Sequence, residues 1–90
     1  MEYLGYTFET PSRDRDGNWN PVDIVYQDDK DFNEATSKVL RAFYQNNSDG
    51  RCILSDANNE RYMLECLHVT FDTYGSSIRL FPIGCRRLKN

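Results

Sequence analysis

The stretch Asp31-Phe32-Asn33-Glu34-Ala35-Thr36-Ser37-Lys38-Val39-Leu40-Arg41-Ala42-Phe43-Tyr44-Gln45-Asn46-Asn47 places Phe32, Ala35, Val39, Leu40 and Phe43 at i, i+3, i+7, i+8 and i+11. That is the spacing of one apolar helix face, and such a face must be covered. Asp31 stands at the N-cap position with Glu34 three residues on, the capping-box spacing, and both suit the positive end of the helix dipole. Asn33, Glu34, Ser37, Lys38, Arg41 and Gln45 form the polar side, with Glu34 and Lys38 in the favourable i, i+4 order. The turn-forming run Asn46–Gly50 ends the helix.

Everything around this helix reads as strand and turn. Leu4, Tyr6 and Phe8 alternate with Tyr3, Gly5, Thr7 and Glu9 until Pro11, and Val22, Ile24 and Tyr26 alternate after the polar loop Ser12–Asn20. Beyond Gly50 comes Cys52-Ile53-Leu54, a turn at Asp56–Asn59, and the long segment Arg61–Asp72. There Met63, Glu65, Leu67, Val69 and Phe71 share one face while Tyr62, Leu64, Cys66 and His68 share the other. Apolar residues on both faces predict either a central strand or a bulge that changes the buried side. Ile78–Phe81 follows, with Pro82 confining it to an edge or an end unless Ile83 and Cys85 resume it. The expected fold is therefore α+β: one amphipathic helix packed on a mainly antiparallel sheet of about five strands in the order β-β-α-β-β-β. Phe32, Val39 and Phe43 should pack on Leu4, Phe8, Ile24, Leu67, Val69 or Phe71.

At 90 residues the chain suits one globular domain, residues 1–90, with a thin core built on its 13% aromatic residues. The net charge is −3 but uneven: residues 1–49 hold ten acidic and five basic side chains, residues 50–90 four acidic and six basic. An acidic half suits a basic partner, and Arg86, Arg87 and Lys89 suit phosphate. Three irregularly spaced cysteines, Cys52, Cys66 and Cys85, fit a reducing, cytoplasmic setting better than a disulfide framework. The opening residues lack a leader pattern, and no apolar run approaches the ~20 residues that span a bilayer, so no membrane is expected.

Motifs that carry chemistry are sparse. Ser12–Asp23 can be laid on an EF-hand loop with Asp14, Asp16, Gly17 and Asp23 in ligand or turn positions. Ser12 replaces the first carboxylate, Asp23 the bidentate glutamate, and the flanks are strands, so a hairpin with an Asp-Gly turn accounts for the same letters. Cys66-Leu67-His68 puts a thiol and an imidazole on one side of a regular strand, with Cys85 nearby if the last two strands pair. No CxxC or HxxxH spacing completes a metal set, and Asp28, Asp29 and Asp31 fall in the helix lead-in, where capping explains them. Neither a catalytic residue nor a cofactor or metal is expected.

These readings favour a small non-enzymatic protein-binding module. Its partner-binding residues would be those the core does not claim: Trp19, Tyr74, Asp28 and Asp29. Small phage or mobile-element inhibitors of host proteins are similar in size and build, an analogy of fold level only. The alternative is a single-stranded nucleic-acid-binding sheet that uses Tyr62, Arg79, Arg86, Arg87 and Lys89, although a pI near 5.0 opposes it. A third alternative is a small metal or catalytic protein centred on Cys66, His68 and Cys85.

Overall fold

Residues Asp29–Leu40 form helix α1, and Arg41–Gln45 continues it as a π-helical turn. The computed structural model describes residues 1–25, 29–45, 50–72 and 74–89, with the backbone alone at 29, 30 and 45. Phe32, Ala35, Val39 and Phe43 are buried as the stripe requires. Leu40 is not: one residue past Val39, it lies about 100° further round the helix and is 40% exposed. The helix also starts earlier than its sequence signal. Asp31 sits inside the first turn rather than at the N-cap, so its expected capping box with Glu34 does not apply. Glu34 instead pairs with Lys38 at 3.4 Å, and the Lys38 ammonium lies 5.3 Å from the Tyr6 ring centroid. The helix ending expected at Asn46 and Asn47 lies outside the described residues.

The N-terminal strand expected over Tyr3–Glu9 is in fact two. Leu4 and Gly5, at φ 56° and 85°, link β1 (Glu2–Tyr3) to β2 (Tyr6–Phe8) as a two-residue hairpin with Tyr3 opposite Tyr6. Leu4 therefore sits on the surface instead of in the core. Tyr3 and Phe8 point inward, their rings in edge contact at 5.8 Å. β3 (Val22–Val25), β4 (Arg51–Ser55), β5 (Arg61–Asp72) and β6 (Ser77–Arg87) follow.

Among the described residues these six strands close into an antiparallel barrel in the ring order β1-β2-β3-β6-β5-β4. This overturns the expected helix on an open five-stranded sheet: the order is β-β-β-α-β-β-β and strand residues far outnumber helical ones. Two features produce closure. The split of the first strand supplies a short β1 that meets β4 at Glu2 and Ser55. The long β5–β6 hairpin is interrupted by bulges, which bend strands and increase twist. Pro82 lies within β6, opposite Cys66 and between two register shifts, where a missing N–H is tolerated. Inward residues of all six strands, with Leu54, Leu64, Ile78 and Leu80 fully buried, meet the helix stripe in one core.

Gly50 marks the entry to β4. The Cys66 amide donates to its carbonyl at 2.8 Å, its φ is 74°, and a β-carbon there would lie 2.4 Å from the Cys66 carbonyl oxygen. Only glycine fits both the conformation and the space.

Candidate docking face

β5 and β6 are in regular register from Tyr62 opposite Arg87 to Glu65 opposite Gly84, and again from His68 opposite Phe81 to Asp72 opposite Ser77. Between these blocks only Cys66 and Pro82 pair, leaving Ile83 as an extra residue on β6 and Leu67 as an extra residue on β5. Both extra side chains point outward: Leu67 is 71% exposed and Ile83 62%. Leu67 was expected in the core, and the bulge is what removes it.

The same register builds the surface around them. Arg51 faces Glu65, which faces Gly84; Ile53 faces Met63, which faces Arg86; Ser55 faces Arg61. All of these lie on the outer side of β4, β5 and β6, because their sequence neighbours Cys52, Leu54, Leu64 and Cys66 are buried. Arg86 donates an Nη2–H to the Met63 sulfur at 3.7 Å. The face thus interleaves apolar side chains with three arginines.

Next to Ile83 stands a small hairpin made by the polar loop. Arg13 bridges Trp19, and the Asn20 amide donates to the Ser12 carbonyl at 2.9 Å. Asp14 Oδ1 accepts the Asp16 and Asn18 amides, each at 2.9 Å, and Gly17 takes the left-handed position at φ 85°. The Arg13 guanidinium covers the Trp19 ring at 4.5 Å. Arg13, Gly17, Asn18, Trp19, Pro82 and Ile83 line a concavity of about 460 Å³. Two of the three loop carboxylates laid on a calcium loop are thus used within the fold: Asp14 holds the turn, and Asp23 binds Arg79 through two bonds of 2.6 and 3.0 Å. That ion pair raises the Arg79 pKa.

The other residues singled out from sequence do not gather where they are described. Tyr74 is fully exposed at the β5–β6 turn, with about 20 Å of β6 between that turn and Ile83 at a strand's usual rise. Asp28 lies outside the described residues, and Asp29 contributes only its backbone, at the start of α1. Of the residues assigned to nucleic acid, Arg87 is held by Glu60 at 2.5 Å and Arg79 by Asp23. The Tyr62 hydroxyl lies 3.4 Å from both Asp56 and Glu60, and desolvation followed by those two carboxylates raises its pKa. Lys89 lines a separate hollow of about 340 Å³ with Glu60, Arg87 and Leu88. Only Arg86 stands on the docking face.

Cys66 and His68 do not share a side, contrary to the expectation from a regular strand. The bulge at Leu67 turns Cys66 into the core and His68 outward, where its ring stacks on Phe81 at 4.3 Å. Cys52, Cys66 and Cys85 are free thiols. Hydrogen bonding to Cys52, then burial, pushes the Cys66 thiol up, and burial does the same to Cys85. Among the described residues no group of three or more His, Cys, Asp or Glu could hold a metal ion, and no helix is long and apolar enough to cross a membrane.

Sequence reasoning missed Arg51, Ile53, Arg61, Met63, Leu67 and Ile83 as surface partners of one another. The available signals were the two-sided apolar pattern of Arg61–Asp72 and the Pro82-Ile83-Gly84 run, whose flanking residues favour an irregular strand. No family model, curated protein or solved structure matches this chain.

Proposed function

We propose that this chain is a non-enzymatic protein-binding module that docks through the outer face of β4, β5 and β6. The observation that carries this reading is the exposure of Leu67 and Ile83 on either side of the Cys66–Pro82 pair. Two large aliphatic side chains held in water on one face cost solvation free energy, which a partner recovers by covering them. Arginine, methionine and tryptophan around them are residue types enriched in interfaces. Trp19 thus keeps the partner-binding role read from sequence, at the margin of the face, while Tyr74 lies away from it. Closure of the barrel favours recognition by side chains over addition of a strand to a free edge.

The test is site-specific photo-crosslinking in cells of the source organism. A crosslinker at position 67 or 83 should capture a discrete protein that one at position 10 or 25 does not, and Leu67→Ser with Ile83→Ser should abolish capture through a crosslinker at position 53. Equal capture from all positions would remove the basis for this face.

A further inference from the structure

We infer that the segment docked on this face is an acidic stretch of protein carrying large apolar side chains, an inference that rests on the docking reading above. The charge of the face is opposite to that of the chain. Arg51, Arg61 and Arg86 stand on it against the single carboxylate of Glu65, while the whole chain carries −3. Glu2 lies at the margin, opposite Ser55, where its carboxylate accepts the Thr7 hydroxyl at 3.4 Å. None of the three ion pairs among the described residues uses Arg51, Arg61 or Arg86. All three are exposed and none is held by a carboxylate, the Arg86 group touching only the Met63 sulfur, so each can meet a carboxylate in the bidentate geometry that arginine favours.

The apolar residues lie between these charges. Ile53, Met63, Leu67 and Ile83 alternate with the arginines across strands spaced about 4.8 Å apart, so a segment that satisfies one set also covers the other. Electrostatic complementarity of this kind selects partners and speeds encounter, while the apolar contacts retain them. A nucleic acid fits the face less well. It would meet a chain of net negative charge, and the neighbouring rings of His68 and Phe81 are stacked on each other rather than open to bases.

The experiment pans a random-peptide display library against the immobilised whole protein and measures the enriched peptides by fluorescence anisotropy. Enriched sequences should combine Asp or Glu with Leu, Ile, Phe or Trp. Arg51→Glu with Arg86→Glu should weaken them by roughly tenfold or more, Arg51→Lys with Arg86→Lys should retain much of the affinity, and Leu67→Ser with Ile83→Ser should also weaken them. Circular dichroism checks the fold of each variant, and the glutamine pair replaces the glutamate pair if the latter does not fold. Neutral or basic peptides that still depend on Leu67 and Ile83 would overturn the acidic partner and leave the docking reading standing. Acidic peptides indifferent to Leu67 and Ile83 would also overturn the inference, since charge alone would then suffice. No enrichment, or binding indifferent to both pairs, would overturn the docking reading and the inference together. Oligothymidine or oligouridine that binds more tightly than the best peptide, and loses binding on charge reversal, would replace the protein segment with nucleic acid.

Discussion

Leu67 and Ile83 are the residues that the β5–β6 register skips, one on each strand and on either side of the Cys66–Pro82 pair, and both are turned outward. A single bulge would expose one side chain; two bulges offset by one residue pair expose two and restore the register on either side. The geometry bends the hairpin and presents the apolar patch at once.

Leu67→Ser and Ile83→Ser should therefore leave stability nearly unchanged, within about 0.5 kcal/mol, while partner capture is lost. Urea denaturation midpoints set against crosslinking yield check this. A large loss of stability would mean that these side chains serve the fold.

Phe43 and Leu40 should behave oppositely although both belong to the apolar pattern of the helix. Phe43 is 8% exposed and Leu40 40%. Phe43→Ala should cost roughly 3–5 kcal/mol and Leu40→Ala far less, as read from urea denaturation. Equal costs would contradict the way α1 and its π-helical turn sit on the barrel.

The contrast shows what the sequence made legible. The stripe Phe32, Ala35, Val39 and Phe43 announces a helix and its buried side because that information is local. Barrel closure rests on Glu2 meeting Ser55, a contact between distant residues with no local pattern. The first hairpin was hidden because Leu4 occupies a left-handed position usually taken by Asn, Asp or Gly, so the apolar alternation ran straight through the turn. The docking face was half legible: the positive charge of residues 50–90 survives as a patch because β4, β5 and β6 are neighbours. Trp19 stayed at its margin, whereas Tyr74, chosen by the same reasoning, was carried to the far end of β6.

Leu4→Asn should stabilise the protein. A leucine at φ 56° pays the clash of its β-carbon, worth about 1 kcal/mol, and asparagine before Gly5 is the preferred pairing for such a turn. A rise in the urea midpoint is the expected result. A fall would mean that the 40%-exposed leucine side chain contributes more by packing than its conformation costs.

Alkaline pH should destabilise the fold partly through Tyr3. Burial, then the neighbouring Cys52, pushes its phenol well above the ordinary value. A raised folded pKa means that the unfolded chain loses this proton first. The contribution is thus fully present below about pH 10, the ordinary tyrosine value, and is lost as pH climbs toward the folded one. Tyr3→Phe should show a shallower fall in stability above that pH than the wild type, measured by urea denaturation across a pH series. Parallel curves would contradict the burial of the hydroxyl.

The most direct test of the docking face is a map of backbone amide chemical shifts while the whole protein is titrated with an enriched acidic peptide. The perturbed amides should cluster at 51–53, 61–67 and 83–86, with a weaker margin at 13–19. Perturbations centred on the start of α1 or on the Tyr74 turn, with the β4–β6 face silent, would contradict the account.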